Sequence, residues 1–224
     1  MAKFFMYDSE LQELEQLMML VPNFSPRKSG IVIIREIVNN DEQVRVQIAL
    51  PYLINQLGSG SPISGVEGYY QSVIANCFHE CKFYRFRSRL EYLIRTCSGH
   101  FFTSPTQKAR FDSVCRLQEI PVGNKSPIHL AVLFLLTVDD KLWSAAKDHV
   151  YADSFDFKKM NLSGINTDGY AIYQMAKTIY TAKEYIRLDE IADKFLIGDQ
   201  AFKAIIHSIL IAKYGAPVLQ VKFK

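Results

Sequence analysis

Four cysteines in 224 residues exclude a disulfide scaffold. Long hydrophobic runs are missing too. The longest, Ile128 to Leu136, is about half of a membrane span and contains His129. The N-terminus turns acidic at Asp8 and Glu10 before an apolar signal region can form. A soluble, cytoplasmic chain with reduced thiols and no membrane partner is therefore expected. Charge of one sign is also lacking: 26 Lys and Arg face 23 Asp and Glu, for a net +3. That is too mild for a nucleic-acid binder recognised by bulk charge, and it excludes an acidic mimic of DNA. With 49% hydrophobic and 22% charged residues, the composition excludes a disordered chain or a collagen. A chain of this length buries about 70% of its unfolded surface and folds without a metal or disulfide staple.

Enzyme signatures are absent. There is no Gly-x-Ser-x-Gly elbow, no His-Glu-x-x-His, no dinucleotide turn and no kinase set. Asp139 and Asp140 are helix neighbours that face different ways, which is no catalytic pair. The glycine- and serine-rich stretch Gly58–Gly68 could cradle a phosphate. It lacks the terminal Gly-Lys-Ser/Thr, and no Lys or Arg occurs between residues 46 and 81. Cys77, His79, Cys81, Cys97 and His100 crowd together, and Cys77 and Cys81 share a helix face. No Cys-x-x-Cys knuckle is present, so these cysteines read as small buried hydrophobes. No catalytic residue, metal or cofactor is assigned.

The elements present indicate a mixed α+β fold in which helix dominates. Asp8–Val21 reads as an amphipathic helix, and residues 31–50 as a β-hairpin turning at Asn39-Asn40-Asp41. A helix is predicted over 67–80, then a strand over 82–90 running into a helix to about Thr96, then a helix opened by Ser104-Pro105. Pro121–Pro127 is the expected boundary between an N-terminal domain (1–120) and a helical C-terminal domain (121–224). From Pro127 one helix is predicted through Val150, its apolar first half deep in the core.

Arginine is unevenly spread: nine of the ten lie before residue 127. Between residues 82 and 95, Lys82, Arg85, Arg87, Arg89 and Arg95 face only Glu91, and Phe83, Tyr84, Phe86 and Tyr92 are interleaved. Guanidinium forks grip phosphate in pairs. Basic groups beside aromatic stacking platforms hold single-stranded nucleic acid.

Residues 168–224 read as a helix, a short extended piece (185–188), two further helices (190–195 and 200–214) and a strand (218–223). Ile191, Phe195, Ile197, Phe202 and Ile205 fill the apolar offsets of a helix-turn-helix, and Ala192 the small one. Leu196 stands where Gly is usual. This order resembles a winged helix. The resemblance implies a recognition helix that exposes Asp199, Gln200, Lys203, Ala204, His207 and Ser208, with Gln200 and Lys203 as base contacts. HLAVLFLL and GYAIYQMAKTIY also resemble stretches in small proteins of gut bacteria and their mobile elements, from which no activity carries over.

The expected function is a non-enzymatic nucleic-acid or nucleoprotein binder that uses Lys82, Arg85, Arg87, Arg89 and Arg95, with Gln200 and Lys203 secondary. The alternatives are a protein-interaction or inhibitor protein, for example a regulator borne by a mobile element, and an enzyme whose site is assembled from distant residues.

Overall fold

A computed structural model describes residues 69–97, 100–118, 122 and 125–223. The predicted N-terminal helix, the hairpin over 31–50 and the stretch Gly58–Gly68 lie outside the described residues. Eight α-helices follow in order among the described residues: α1 (Tyr70–Cys77), α2 (Tyr84–Thr96), α3 (Pro105–Leu117), α4 (Pro127–Leu136), α5 (Asp140–Ala146), α6 (Thr167–Thr181), α7 (Leu188–Ala192) and α8 (Asp199–Tyr214). None is long and apolar enough to cross a membrane.

The core is built from the most apolar sequences. Every residue of α4 from His129 to Leu136 is buried, as is every residue of α8 from Ala204 to Ala212. These two helices pack on each other and on α6. Each fully buried Leu, Ile or Phe stabilises the fold by about 1.5–3 kcal/mol over leaving it in water. Residues on both sides of the segment 121–127 share this core. Phe86 of α2 meets Phe202 of α8 edge-on at 5.8 Å, and Phe101 meets Phe134 of α4 at 5.7 Å. The boundary expected at 121–127 does not divide the buried residues.

Helix ends follow local chemistry. Ser104 accepts the Gln107 N–H at 3.0 Å with Pro105 behind it, so α3 starts where the sequence predicts. The long helix predicted from Pro127 instead breaks after Leu136. The Thr137 hydroxyl donates back to Leu133 O and Phe134 O, and Asp139 accepts the Leu142 N–H at 2.8 Å to open α5. Asn166 caps α6 by accepting the Gly169 N–H at 2.7 Å. The strand expected over 82–90 is helical. Burial of Phe86, Leu90 and Leu93 at spacings of four and three satisfies the 3.6-residue period and overrides the local alternation.

The C-terminal module departs from a winged helix in two places. First, α8 is the central helix of the core. Ala204, His207 and Ser208, which a recognition helix would expose, are buried. His207 is wholly enclosed. Its Nδ1 faces Phe101 O at 2.5 Å, an atom that can only accept, so Nδ1 carries the proton and Nε2 accepts from the Tyr70 hydroxyl at 2.8 Å. Second, residues 216–220 form a 3-10 turn where the strand was expected. Gly215 turns the chain at φ 73°, and Pro217 has no N–H to give a ladder. The pairing that remains is a single parallel bridge, Tyr69 with Lys222.

Candidate functional site

The Arg-rich stretch becomes α2, and the helix separates its cations. Phe86, Arg89, Leu90 and Leu93 turn inward, while Tyr84, Arg85, Arg87, Ser88, Glu91, Tyr92 and Arg95 face solvent. Lys82 is exposed just before the helix. Lys82, Arg85, Arg87 and Arg95 make no hydrogen bond or ion pair with any described residue.

Arg89 is the exception, and it leaves the predicted binding set. It is only 7% exposed. Its Nη1 donates to Ile191 O at 2.9 Å, and its Nη2 donates to Ile197 O and, at 3.2 Å, to Asp199 Oδ1. The guanidinium carbon sits 4.3 Å from the centre of the Phe202 ring. Burial pulls its pKa below the ordinary arginine value, opposed by Asp199. Arg89 thus ties α2 to the last turn of α7 and to the turn before α8, supplying donors to two carbonyls that helix geometry leaves open.

That turn forms the second wall of a groove. α7 ends at Ala192, three residues short of the predicted Phe195. Asp193 Oδ1 accepts the Phe195 N–H at 2.8 Å, and the Leu196 and Ile197 N–H groups return to Asp193 O. The tight turn throws Phe195 outward to 90% exposure, whereas the sequence pattern predicts it to be buried filler. Gly198 closes the turn by donating to Asp168 Oδ1 at 2.8 Å. The resulting groove has a volume of about 720 Å³. Tyr84, Arg85, Ser88 and Tyr92 of α2 line one side, Asp193, Lys194 and Phe195 the other, with Arg89 and Asp199 between them.

The remaining predicted residues are not brought to it. Gln200 is exposed but lines a smaller pocket with Asp139, Asn166 and Asp168, and Lys203 is half-buried on α8. No known protein family, curated protein or solved structure matches the chain. What the site does therefore has to be argued from its own side chains.

Among those side chains, sequence reasoning found Arg85, Tyr84 and Tyr92, and it missed Phe195, Lys194 and the two aspartates. The cysteines lie apart in character: Cys77, Cys81 and Cys115 are buried, and burial raises each thiol pKa, that of Cys77 to about 12. Among the described residues no three His, Cys, Asp or Glu side chains gather in a way that could hold a metal ion.

Proposed function

We propose that the protein is a non-enzymatic nucleic-acid binder, acting on bare strands or within a nucleoprotein complex, and that the outer face of α2 is its contact surface. The observation that supports this is the alternation of Lys82, Arg85, Arg87 and Arg95, exposed and unpaired among the described residues, with the exposed rings of Tyr84 and Tyr92. Guanidinium groups donate in pairs to phosphate oxygens, and tyrosine planes accept stacked bases regardless of sequence. Glu91 is the single acidic residue of this helix. Arg89 has no part in the contact, because its donors are spent inside the protein.

The test is a fluorescence-anisotropy titration of labelled oligonucleotides at two salt concentrations. The double variant Arg85→Glu, Arg87→Glu alters two exposed positions and leaves the fold intact by circular dichroism. Binding is expected to weaken at least about tenfold, and the salt slope to fall by roughly two, one for each phosphate that is no longer neutralised. Unchanged affinity refutes the proposal. One observation favours a second reading, a regulator or inhibitor that docks on a protein: Phe195 at 90% exposure has the character of an interface anchor. That reading predicts no oligonucleotide binding, and a stable protein complex that Phe195→Ser abolishes.

A further inference from the structure

The groove and the ridge beside it differ in charge, and the difference assigns them different parts of a ligand. The ridge carries Lys82, Arg87 and Arg95. The groove holds two carboxylates, and each uses only one oxygen within the protein. Asp193 Oδ1 accepts from the Phe195 N–H, and Asp199 Oδ1 accepts from Arg89. The second oxygen of each has no hydrogen bond to a described residue, and the Asp199 side chain is 67% exposed. Carboxylate oxygens repel phosphate and accept N–H. The aromatic groups are placed on the groove as well. Tyr84 and Tyr92 stand eight residues apart on one helix, about 12 Å along its axis, with Phe195 on the facing wall.

We infer that the groove takes the bases, and the α2 ridge the phosphates, of a single-stranded nucleic acid, with preference for bases bearing an exocyclic amine (adenine, cytosine, guanine) over thymine or uracil. This rests on the nucleic-acid reading above and specifies its ligand. Stacking platforms reach only unpaired bases, because a duplex hides base faces in its own stack. The exocyclic amine of cytosine is a known partner for Asp and Glu carboxylates, and that of adenine is a donor of the same kind. Thymine and uracil instead flank their one ring N–H with two carbonyl oxygens, which a carboxylate repels. Arg85 lies on the groove wall, where it can meet a phosphate leaving the groove toward the ridge.

The experiment compares oligo-A, oligo-C and oligo-T (or U), as DNA and as RNA, with a mixed-sequence duplex, at low and moderate salt. The expected order is A and C tighter than T or U by about tenfold, with the duplex weakest. Phe195→Ser should cost about tenfold on single strands. The paired change Asp193→Asn, Asp199→Asn keeps the turn acceptor while removing both charges, and should narrow the preference toward equality. Single strands that bind with T or U as tight as A and C, or a preference unmoved by the paired change, overturn this inference and leave the nucleic-acid reading standing. Duplex binding as tight as single-strand binding does the same. If no oligonucleotide binds even at low salt, the underlying reading falls, and this inference falls with it. The DNA and RNA arms show which sugar the ridge accepts.

Discussion

Replacing Arg89 by methionine tests whether this residue is a structural clamp. The change keeps a long apolar stem over Phe202 and removes every donor. Two buried carbonyls, Ile191 O and Ile197 O, then lose their side-chain partner. Each carbonyl left dry costs about 1–3 kcal/mol. The interaction with Asp199 adds less than about 1 kcal/mol, because that carboxylate is mostly exposed and screened. The stacking of charge on Phe202 contributes about 1 kcal/mol. Against this, the variant no longer has to desolvate a guanidinium. The net expectation is a loss of about 3 kcal/mol. With a urea slope of about 2 kcal/mol per molar, the midpoint drops by about 1.5 M. Arg87→Met, on the exposed side of the same helix, is the control and should stay within about 0.5 kcal/mol of the parent. The assay is urea unfolding followed by far-ultraviolet circular dichroism. If the Arg89 and Arg87 variants are equally stable, the clamp does not exist.

Three further outcomes follow from buried groups. His207 and His129 are held neutral by burial, with pKa values lowered to about 3 and about 4, so the unfolded chain binds more protons than the native one once pH falls below about 6.5. Stability is therefore full above that pH and declines as pH drops toward 4, at up to about 1.4 kcal/mol per pH unit for each histidine. His129→Leu, which also removes a buried Nε2 that has no hydrogen-bond partner, should flatten that slope without loss at neutral pH, as read by unfolding midpoints from pH 7 to about 4. Gly198→Ala places a Cβ 2.7 Å from Asp168 Oδ2 and should cost about 1–2 kcal/mol in thermal unfolding, unless the Asp168 side chain swings aside freely. Thiol labelling of the native protein should be slow at Cys77, Cys81 and Cys115 and become fast only in denaturant; fast native labelling at all four cysteines would contradict their burial.

Much of the helical framework is legible in the residues themselves. Ser104-Pro105, the apolar run behind Pro127 and Gly215 mark helix ends that local chemistry alone determines. The failures are tertiary. Arg89 sits on the apolar stripe of α2, and a charged residue there reads as solvated until Ile191 and Ile197, about a hundred residues away, are seen to supply its acceptors. The stretch Ala201–Ala212 is apolar on nearly all sides, a pattern that belongs to a central helix rather than one facing a groove in DNA. The helix-turn-helix offsets mask that signal because a buried pair of helices satisfies them equally well. Val218–Phe223 alternates like a strand, yet Gly215 and Pro217 direct the chain into a turn first. For Phe195 the difference is three residues of helix length, enough to move it from the interior to the surface.

One internal cation spans both walls of the groove. The spacing between α2 and the turn at 193–197 is thereby fixed when the chain folds, before any visitor arrives. A cleft held open in advance imposes little ordering cost on association. Capture on such a surface would then be limited by collision and electrostatic steering, so that ionic strength, rather than a slow rearrangement, governs how fast a ligand is taken up.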